Sequence, residues 1–271
     1  MLDLDGTLLE FDDFRSGATD LLERLDAAGV AIALCSGRSV ESMHETAARL
    51  PAVRFVAAGG GSIVQERDGE GWRTLGERFL PVEQVDWIVD TAAEHGMELW
   101  AYTRTSWLVT DWSERVGFDA RFTGVTPAVT PIAGRGDVAK LLTFVDRPGH
   151  ERVLAAMAGL DGVAVVSSFA GADGDASPFG APIPAYFDVI PQASAQTKGG
   201  DVLIDALGIA WSDVVAAGDG PNDLGMLSRA GTALLMPPRT VAELEPAAAG
   251  QRRHACTDLH EALALLEDRG L

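Results

Sequence analysis

Short apolar runs rich in β-branched residues alternate with amphipathic helix patterns along this chain of 271 residues. Strand patterns at 30–35 and 53–57 flank a helix predicted over 40–50, which ends before Pro51. Such alternation predicts an α/β fold with a Rossmann-like open parallel sheet and helices on both faces. The other predicted strands are 214–217 and 232–236, and the other predicted helices are 17–28, 221–229, 239–249 and 257–268.

The middle of the chain has a different pattern. Two predicted helices, 82–95 and 148–158, stand among several strand-like runs, which predicts a small α+β domain inserted into the parallel-sheet domain. We therefore divide the chain into a first core part (1–79), the inserted domain (80–185) and a second core part (186–271). The strands predicted in the inserted domain are 97–103, 106–110, 138–145 and 163–168, followed by a loop over 171–184.

The composition limits which binding partners and which cellular compartment we expect for this chain. A net charge of −19 argues against nucleic acid or an anionic membrane as partner, because a phosphate backbone repels such a surface. Two cysteines provide neither a disulfide framework nor a zinc site. No signal peptide and no stretch of membrane-spanning length is visible. We expect a cytoplasmic protein.

Two acids close to the N-terminus are the most suggestive local feature. Asp3 and Asp5 are two residues apart and Gly6 follows them directly, so on a strand both side chains point to the same side. Two carboxylates this close repel unless a cation lies between them or one holds a proton. The pair suggests a divalent metal, with one acid as nucleophile and the other as proton carrier. Asp-Gly is also a common turn dipeptide, so a purely structural role stays open.

Three further polar motifs follow strand patterns, and the carboxyl ends of parallel strands form one edge of a sheet. Each has a structural alternative: Ser36 as a helix N-cap, Lys198 as a surface lysine, and 219–223 as a turn with a helix cap. We expect the other lysine, Lys140, at a sheet edge or on the surface. The motifs are Ser36-Gly37-Arg38 after 30–35, Lys198 after a strand around 187–190, and Gly218-Asp219-Gly220-Pro221-Asn222-Asp223 after 214–217.

These motifs, taken in order, resemble the four motifs of the haloacid dehalogenase (HAD) superfamily of phosphohydrolases. The insertion between Ser36 and Lys198 resembles the type IIB cap of the Cof-like subfamily. The run from Gly59 to Ile63 is similar to that subfamily's Asn-Gly-Ala-x-Ile segment, with Gly59 in place of asparagine. The resemblance spans nearly the whole chain.

The resemblance implies a role for each motif. Asp3 would attack phosphorus to form an aspartyl-phosphate, and Asp5 would protonate the leaving oxygen and then activate water. Lys198 would supply positive charge beside the phosphoryl group. Ser36, Gly37 and Asn222 would bind that group together with Lys198. Asn222 would also orient Lys198 or its loop. Mg²⁺ would be held by Asp3, the Asp5 carbonyl and Asp219, with Asp223 as a further metal-side or supporting carboxylate.

The sequence departs from the family pattern at two places. Only Met1 and Leu2 precede Asp3, where the resemblance implies about five apolar residues in a strand of ordinary length. We therefore expect either a start further upstream or a weakened enzyme. The run Met236-Pro237-Pro238 replaces the subfamily's glycine-asparagine-alanine and puts a phosphate contact from that loop in doubt.

These features predict a Mg²⁺-dependent phosphatase that acts on phosphate monoesters of small metabolites, with sugar phosphates as the commonest substrates of the family. Alternatives are a phosphomutase or specialised sugar-phosphate phosphatase with the same cap, an inactive truncated homologue, and a phospho-acceptor switch. The second acid, Asp5, argues against a switch, which needs no leaving-group acid. Dehalogenase chemistry is disfavoured because it needs neither Asp5 nor Mg²⁺.

Overall fold

The computed structural model describes residues 1–10, 13–169, 185–237 and 250–268. They form one mainly parallel sheet with helices on both faces and a six-stranded, mainly antiparallel sheet with its own helices. This arrangement confirms the α/β fold class with an inserted α+β unit, whereas the domain boundaries stay a prediction. The helix predicted over 239–249 and the loop predicted over 171–184 lie outside the described residues.

The chain before residue 80 provides half of the parallel sheet. The strand Ala33–Cys35 pairs in parallel with the strand Phe55–Ala58, close to the predicted positions. An antiparallel hairpin, which the sequence pattern did not predict, then continues the sheet. The elements are β1 (Leu9–Glu10), β2 (Asp13–Phe14), α1 (Ala18–Ala27), β3 (Ala33–Cys35), α2 (Val40–Ala48), β4 (Phe55–Ala58), β5 (Ile63–Asp68) and β6 (Gly71–Glu77).

The described residues 82–169 and 185–191 build the six-stranded sheet and its helices, which we call the cap. A helix over Glu114–Thr123 was not predicted, because four charged residues and a glycine interrupt its apolar pattern. The strand expected in the core around 187–190 belongs to the cap sheet instead, where it pairs antiparallel with both neighbours. The elements are α3 (Val82–Glu94), β7 (Leu99–Thr103), β8 (Trp107–Val109), α4 (Glu114–Thr123), β9 (Ala128–Val129), β10 (Val138–Val145), α5 (His150–Ala158), β11 (Val163–Phe169) and β12 (Ala185–Pro191).

The rest of the chain completes the parallel sheet. Lys198 was expected to open a helix, and it lies between two helices, at the end of the first. The helix predicted over 221–229 begins as a 3-10 turn, Pro221–Asp223, and continues as a single α-helical turn. The elements are α6 (Gln192–Thr197), α7 (Gly200–Leu207), β13 (Val215–Gly218), α8 (Leu224–Leu227), β14 (Thr232–Leu235), β15 (Arg252–Ala255) and α9 (Leu259–Glu267).

Residues 1–3 join the two halves of the core sheet. Leu2 pairs in parallel with Leu34 on one side and Ala217 on the other, so the order is β6-β5-β4-β3, residues 1–3, β13-β14-β15. Helices α1, α2 and α9 cover one face, and α7 and α8 cover the other. The ends of residues 1–3, β3 and β13 therefore meet at one edge of the sheet, where an α/β fold places its ligand site.

The cap sheet has the order β11-β12-β10-β7-β8-β9 and is covered by helices on both faces. Helices α3 and α5 pack on one face around Leu141 and Val189. Helix α4 covers part of the other face, where Val116 packs in one cluster with Trp100 and Phe144. In the described ranges no helix combines the length and the apolar character needed to span a bilayer.

Candidate active site

Three carboxylates meet at the predicted edge of the core sheet. Asp3 ends the central segment, Asp219 follows β13, and Asp223 ends the 3-10 turn. One carboxylate oxygen from each of the three lies within 4.8 Å of the others. Asp3 and Asp223 are buried and Asp219 is partly buried, so their charges repel strongly in the absence of a cation.

Lys198 provides a positive charge in the middle of this cluster. Its Nζ donates a hydrogen bond to Asp3 Oδ1 at 2.9 Å and another to Asp223 Oδ1. The residue is only 1% exposed, which rules out the surface-lysine alternative. It adopts the left-handed conformation (φ 49°), which non-glycine residues rarely take, so the surrounding structure must hold it there.

The glycine run before β5 explains how the backbone of Lys198 is placed. A Cβ atom on Gly61 would lie 2.2 Å from the carbonyl carbon of Lys198 and 2.3 Å from the nitrogen of Gly199. Only glycine permits so close an approach of two backbones. Ser62, next in the chain, donates from Oγ to Ser194 Oγ at 3.0 Å and ties the same two segments together.

The electrostatics of the cluster follow from its burial. Burial raises the pKa of Asp3 well above its usual value, and the nearby charge of Asp223 raises it further. Burial and Asp223 likewise raise the pKa of Asp219 to about 6. For Lys198, burial alone would lower the pKa, but the charges of Asp223 and Asp3 outweigh it and raise the pKa above its usual value.

The loop that carries Asp219 is both a structural cap and part of the cluster. Asp223 Oδ2 accepts hydrogen bonds from the backbone N–H groups of Asp219 and Gly220, each at 3.0 Å, while its Oδ1 binds Lys198. The expected turn and cap are therefore present, and the same carboxylate also faces the site. Gly6, at φ 93°, packs closely against this loop. An added Cβ would lie only 2.4 Å from Asp219 Oδ2, so a larger residue would displace that carboxylate.

Asp5 lies apart from the three-carboxylate cluster and binds Arg38. The guanidinium of Arg38 donates from Nε to Asp5 Oδ2 at 2.9 Å and from Nη2 to Oδ1 at 2.6 Å, a two-point contact that fixes the carboxylate plane. The Asp5 side chain is still 43% exposed, so a substrate can reach it. Arg38 belongs to the predicted Ser-Gly-Arg motif, but sequence reasoning gave it no role.

Ser36 and Gly37 lie at the end of β3, beside the central segment that carries Asp3. Ser36 is buried, and the N-cap of α2 is Ser39, whose side chain accepts from the Ser42 N–H at 3.3 Å. The N-cap alternative for Ser36 is therefore wrong. The sequence predicted a polar loop after this strand. In the structure the loop faces the cap, since the Gly37 carbonyl accepts a hydrogen bond from Lys140 of the cap.

A cavity of about 350 Å³ lies where the cap meets the core. Gly37, Lys198 and Asn222 line it from the core, and Asp188 and Val166 line it from the cap. Asn222 was expected to orient Lys198 or its loop, but in the described part of the chain the hydrogen bonds of the Lys198 ammonium go to carboxylates. A cavity of this size is suited to a small ligand.

Two cap residues near the site were missed or misplaced by sequence reasoning. Lys140 is buried, not at an edge or on the surface, because β10 lies between two strands and Asp188 neutralises the lysine. Asp119, on the unpredicted helix α4, lies near Arg38 and Asp5. Burial raises the pKa of Asp119 to about 6, while the positive charge of Arg38 partly opposes the rise.

Two curated relatives align with most of this chain. An HMP-PP phosphatase of Cronobacter sakazakii is 26% identical over 254 residues, which cover 89% of this chain and 86% of the relative. An HMP-PP phosphatase of an Enterobacter species is 24% identical over 249 residues, with the same coverage of both chains. Each alignment extends through both the core and the cap.

Solved structures show the same fold. A sugar phosphatase of HAD subclass IIB superposes with a TM-score of 0.76 at 21% identity, covering 99% of this chain and 97% of the other. A HAD phosphatase from Bacteroides thetaiotaomicron superposes with a TM-score of 0.72, also at 21% identity, covering 99% and 93%. The family model for haloacid dehalogenase-like hydrolases matches residues 1–239. The chain therefore belongs to the haloacid dehalogenase-like hydrolases, as the four sequence motifs indicated.

Proposed function

We propose that this hydrolase is a Mg²⁺-dependent phosphatase that cleaves phosphate monoesters of small metabolites, sugar phosphates foremost, through an aspartyl-phosphate on Asp3. The observation that carries the proposal is the buried Lys198 between Asp3 and Asp223, which also lines a cavity between the core and the cap. The cavity volume of about 350 Å³ favours a metabolite-sized leaving group. The names of the relatives, an HMP-PP phosphatase and a sugar phosphatase, support the same class of substrate.

Each residue of the site has its own role in the proposed phosphoryl transfer. A carboxylate oxygen of Asp3 forms a bond to phosphorus as the bond to the leaving oxygen breaks, and Asp5 gives that oxygen a proton. Asp5 then takes a proton from the water that releases phosphate from Asp3. Arg38 binds both oxygens of Asp5 in this structure, so one of these two hydrogen bonds must open for Asp5 to carry the proton that it donates. The side chain is accessible to a substrate. Lys198 and Ser36 bind the phosphoryl oxygens, whose charge the ammonium offsets.

The acidic cluster fits a magnesium ion. Three carboxylates lie close together in a mostly buried site, and the Lys198 ammonium forms hydrogen bonds to two of them, Asp3 and Asp223. Hard oxygen ligands are those that Mg²⁺ prefers. Asp3, Asp219 and the Asp5 carbonyl would hold the ion, with Asp223 beside them. When bound, the ion neutralises charge on the phosphoryl group.

We place the enzyme in the cytoplasm, with a small phosphorylated molecule as its partner.

The test is phosphate release from p-nitrophenyl phosphate and from a panel of sugar phosphates, with Mg²⁺ or with EDTA. We expect turnover that requires Mg²⁺ and that Asp3→Asn abolishes. Hydrolysis that persists in EDTA would contradict the metal assignment, and hydrolysis that persists in Asp3→Asn would contradict the nucleophile. Formation of an isomeric sugar phosphate without phosphate release would favour the phosphomutase alternative.

A further inference from the structure

Lys140 is a buried charge of the cap that the proposed chemistry does not use. Its Nζ lies 2.7 Å from Asp188 Oδ1 on the neighbouring strand, and the two side chains are 4% and 2% exposed. Ser168 donates to the same Asp188 oxygen at 3.0 Å, and the ring of Tyr102 lies 5.0 Å from the ammonium. A buried ion pair loses its hydration and needs such compensating contacts. The chain therefore holds this ammonium in one place.

The ammonium of Lys140 also binds the core. Its Nζ donates a hydrogen bond to the carbonyl oxygen of Gly37 at 2.7 Å, so a cap side chain binds the loop that follows β3. A Cβ atom on Gly37 would lie 2.9 Å from that Nζ and 3.0 Å from Asp188 Oδ2. Glycine at this position is what lets the buried pair approach the backbone so closely.

The peptide unit that Lys140 binds also forms a hydrogen bond with the side chain of Ser36. The carbonyl of the Gly37–Arg38 peptide accepts from Lys140, and the N–H of the same peptide donates to Ser36 Oγ at 3.2 Å. A positive charge at the carbonyl end strengthens the hydrogen bond that the N–H end makes. Because Ser36 Oγ accepts this bond, its own hydrogen is directed to a different acceptor.

We propose that Lys140 is a positioning residue: it fixes the Gly37–Arg38 peptide and, through it, points the Ser36 hydroxyl toward the phosphoryl oxygen. The inference rests on the proposed function, since it needs a phosphoryl group at Ser36. With this role for Lys140, the cap would do more than cover the leaving group. One of its side chains would also orient a group that binds the phosphate. The peptide also precedes Arg38, so the same contact supports the residue that holds Asp5.

The test compares the affinity for inorganic phosphate, in the presence of Mg²⁺, by titration calorimetry. Lys140→Met alone leaves the charge of Asp188 buried without a partner, so the main variant is Lys140→Met/Asp188→Leu, which removes both charges. We expect it to fold, as judged by circular dichroism, and to bind phosphate about tenfold more weakly or worse, because the loss of one hydrogen bond to a charged group corresponds to a factor of that order. In a Ser36→Ala background the same double substitution should lose most of that effect.

Glu77→Gln is the matched control, because Glu77 accepts a hydrogen bond at 2.6 Å from Arg104 of the cap in a contact remote from Gly37. Loss of cap–core contact in general would weaken phosphate binding in both variants, whereas the proposal expects no change in Glu77→Gln. Wild-type affinity in the folded double variant would overturn the inference, and so would an undiminished effect without Ser36. A wild-type protein that binds phosphate but hydrolyses no monoester would overturn the proposed function alone, and one that does neither would overturn both.

Discussion

Asp119 of the cap should make the folded protein less stable at neutral pH. Burial is the main cause that raises the pKa of this carboxyl from its ordinary 3.8 to about 6, the charge of Asp5 adds to the rise, and Arg38 only partly opposes it. The folded chain therefore holds a proton on Asp119 that the unfolded chain has already lost between these pH values. Stability must fall as the pH rises through this window.

The size of the effect follows from the shift. A rise from 3.8 to about 6 corresponds to about 3 kcal/mol of unfolding free energy at pH 8. About half of that cost remains at pH 5, which lies between the two pKa values. Asp119→Asn keeps the shape of the side chain and removes the charge. We expect it to raise the free energy of unfolding in urea by about 3 kcal/mol at pH 8 and by about half as much at pH 5.

The matched control is Asp111→Asn, an exposed aspartate of the same cap. An exposed substitution of this kind should change stability by about 0.5 kcal/mol or less at either pH. The reasoning would be refuted if Asp119→Asn were no more stable than the wild type at pH 8, or if its gain were the same at both pH values. Either result would mean that the Asp119 carboxyl is as well solvated in the folded chain as in the unfolded one.

Three further predictions concern the acidic cluster. Lys198→Met leaves buried carboxylates without their ammonium and should lower the unfolding free energy in urea by about 3 kcal/mol or more without Mg²⁺. Gly6→Ala places a Cβ 2.4 Å from Asp219 Oδ2 and should weaken Mg²⁺ binding in calorimetry; Gly29→Ala, also at positive φ but with open space around it, should not. Mg²⁺ at 100 times its Kd should stabilise the wild type by about 2.7 kcal/mol, and EDTA should remove that gain.

The motifs were predictable because local patterns determine them. Ser36 and Asp219 each follow an apolar strand of the parallel sheet, and Asp3 follows Leu2, which pairs between those strands. Parallel strands bring their ends to one edge. Asp223 was expected either as a loop cap or as a carboxylate near Asp3 and Asp219; it makes the cap hydrogen bonds and also lies beside those two acids. Even the very short first segment joins the sheet, because Leu2 pairs in parallel with Leu34 on one side and Ala217 on the other.

The interactions between distant segments were not predictable. Nothing near Lys140 in the sequence shows that Asp188 on a neighbouring strand will neutralise it, so the usual expectation of an exposed lysine was wrong. The strand that carries Asp188 looks like any buried strand, and only its antiparallel pairing assigns it to the cap. Helix α4 was missed because its charges obscure the apolar face, and Asp119 was missed with it.

Detection of the phosphorylated enzyme tests the central claim most directly. The protein with Mg²⁺ is mixed with p-nitrophenyl phosphate, quenched in acid during turnover and reduced with borohydride, which converts an aspartyl-phosphate to homoserine. Peptide mass spectrometry then locates the converted residue. The account predicts homoserine at Asp3 alone, in wild type and not in Asp3→Asn. Homoserine at another aspartate, or Mg²⁺-dependent phosphate release with none at any position, would contradict it.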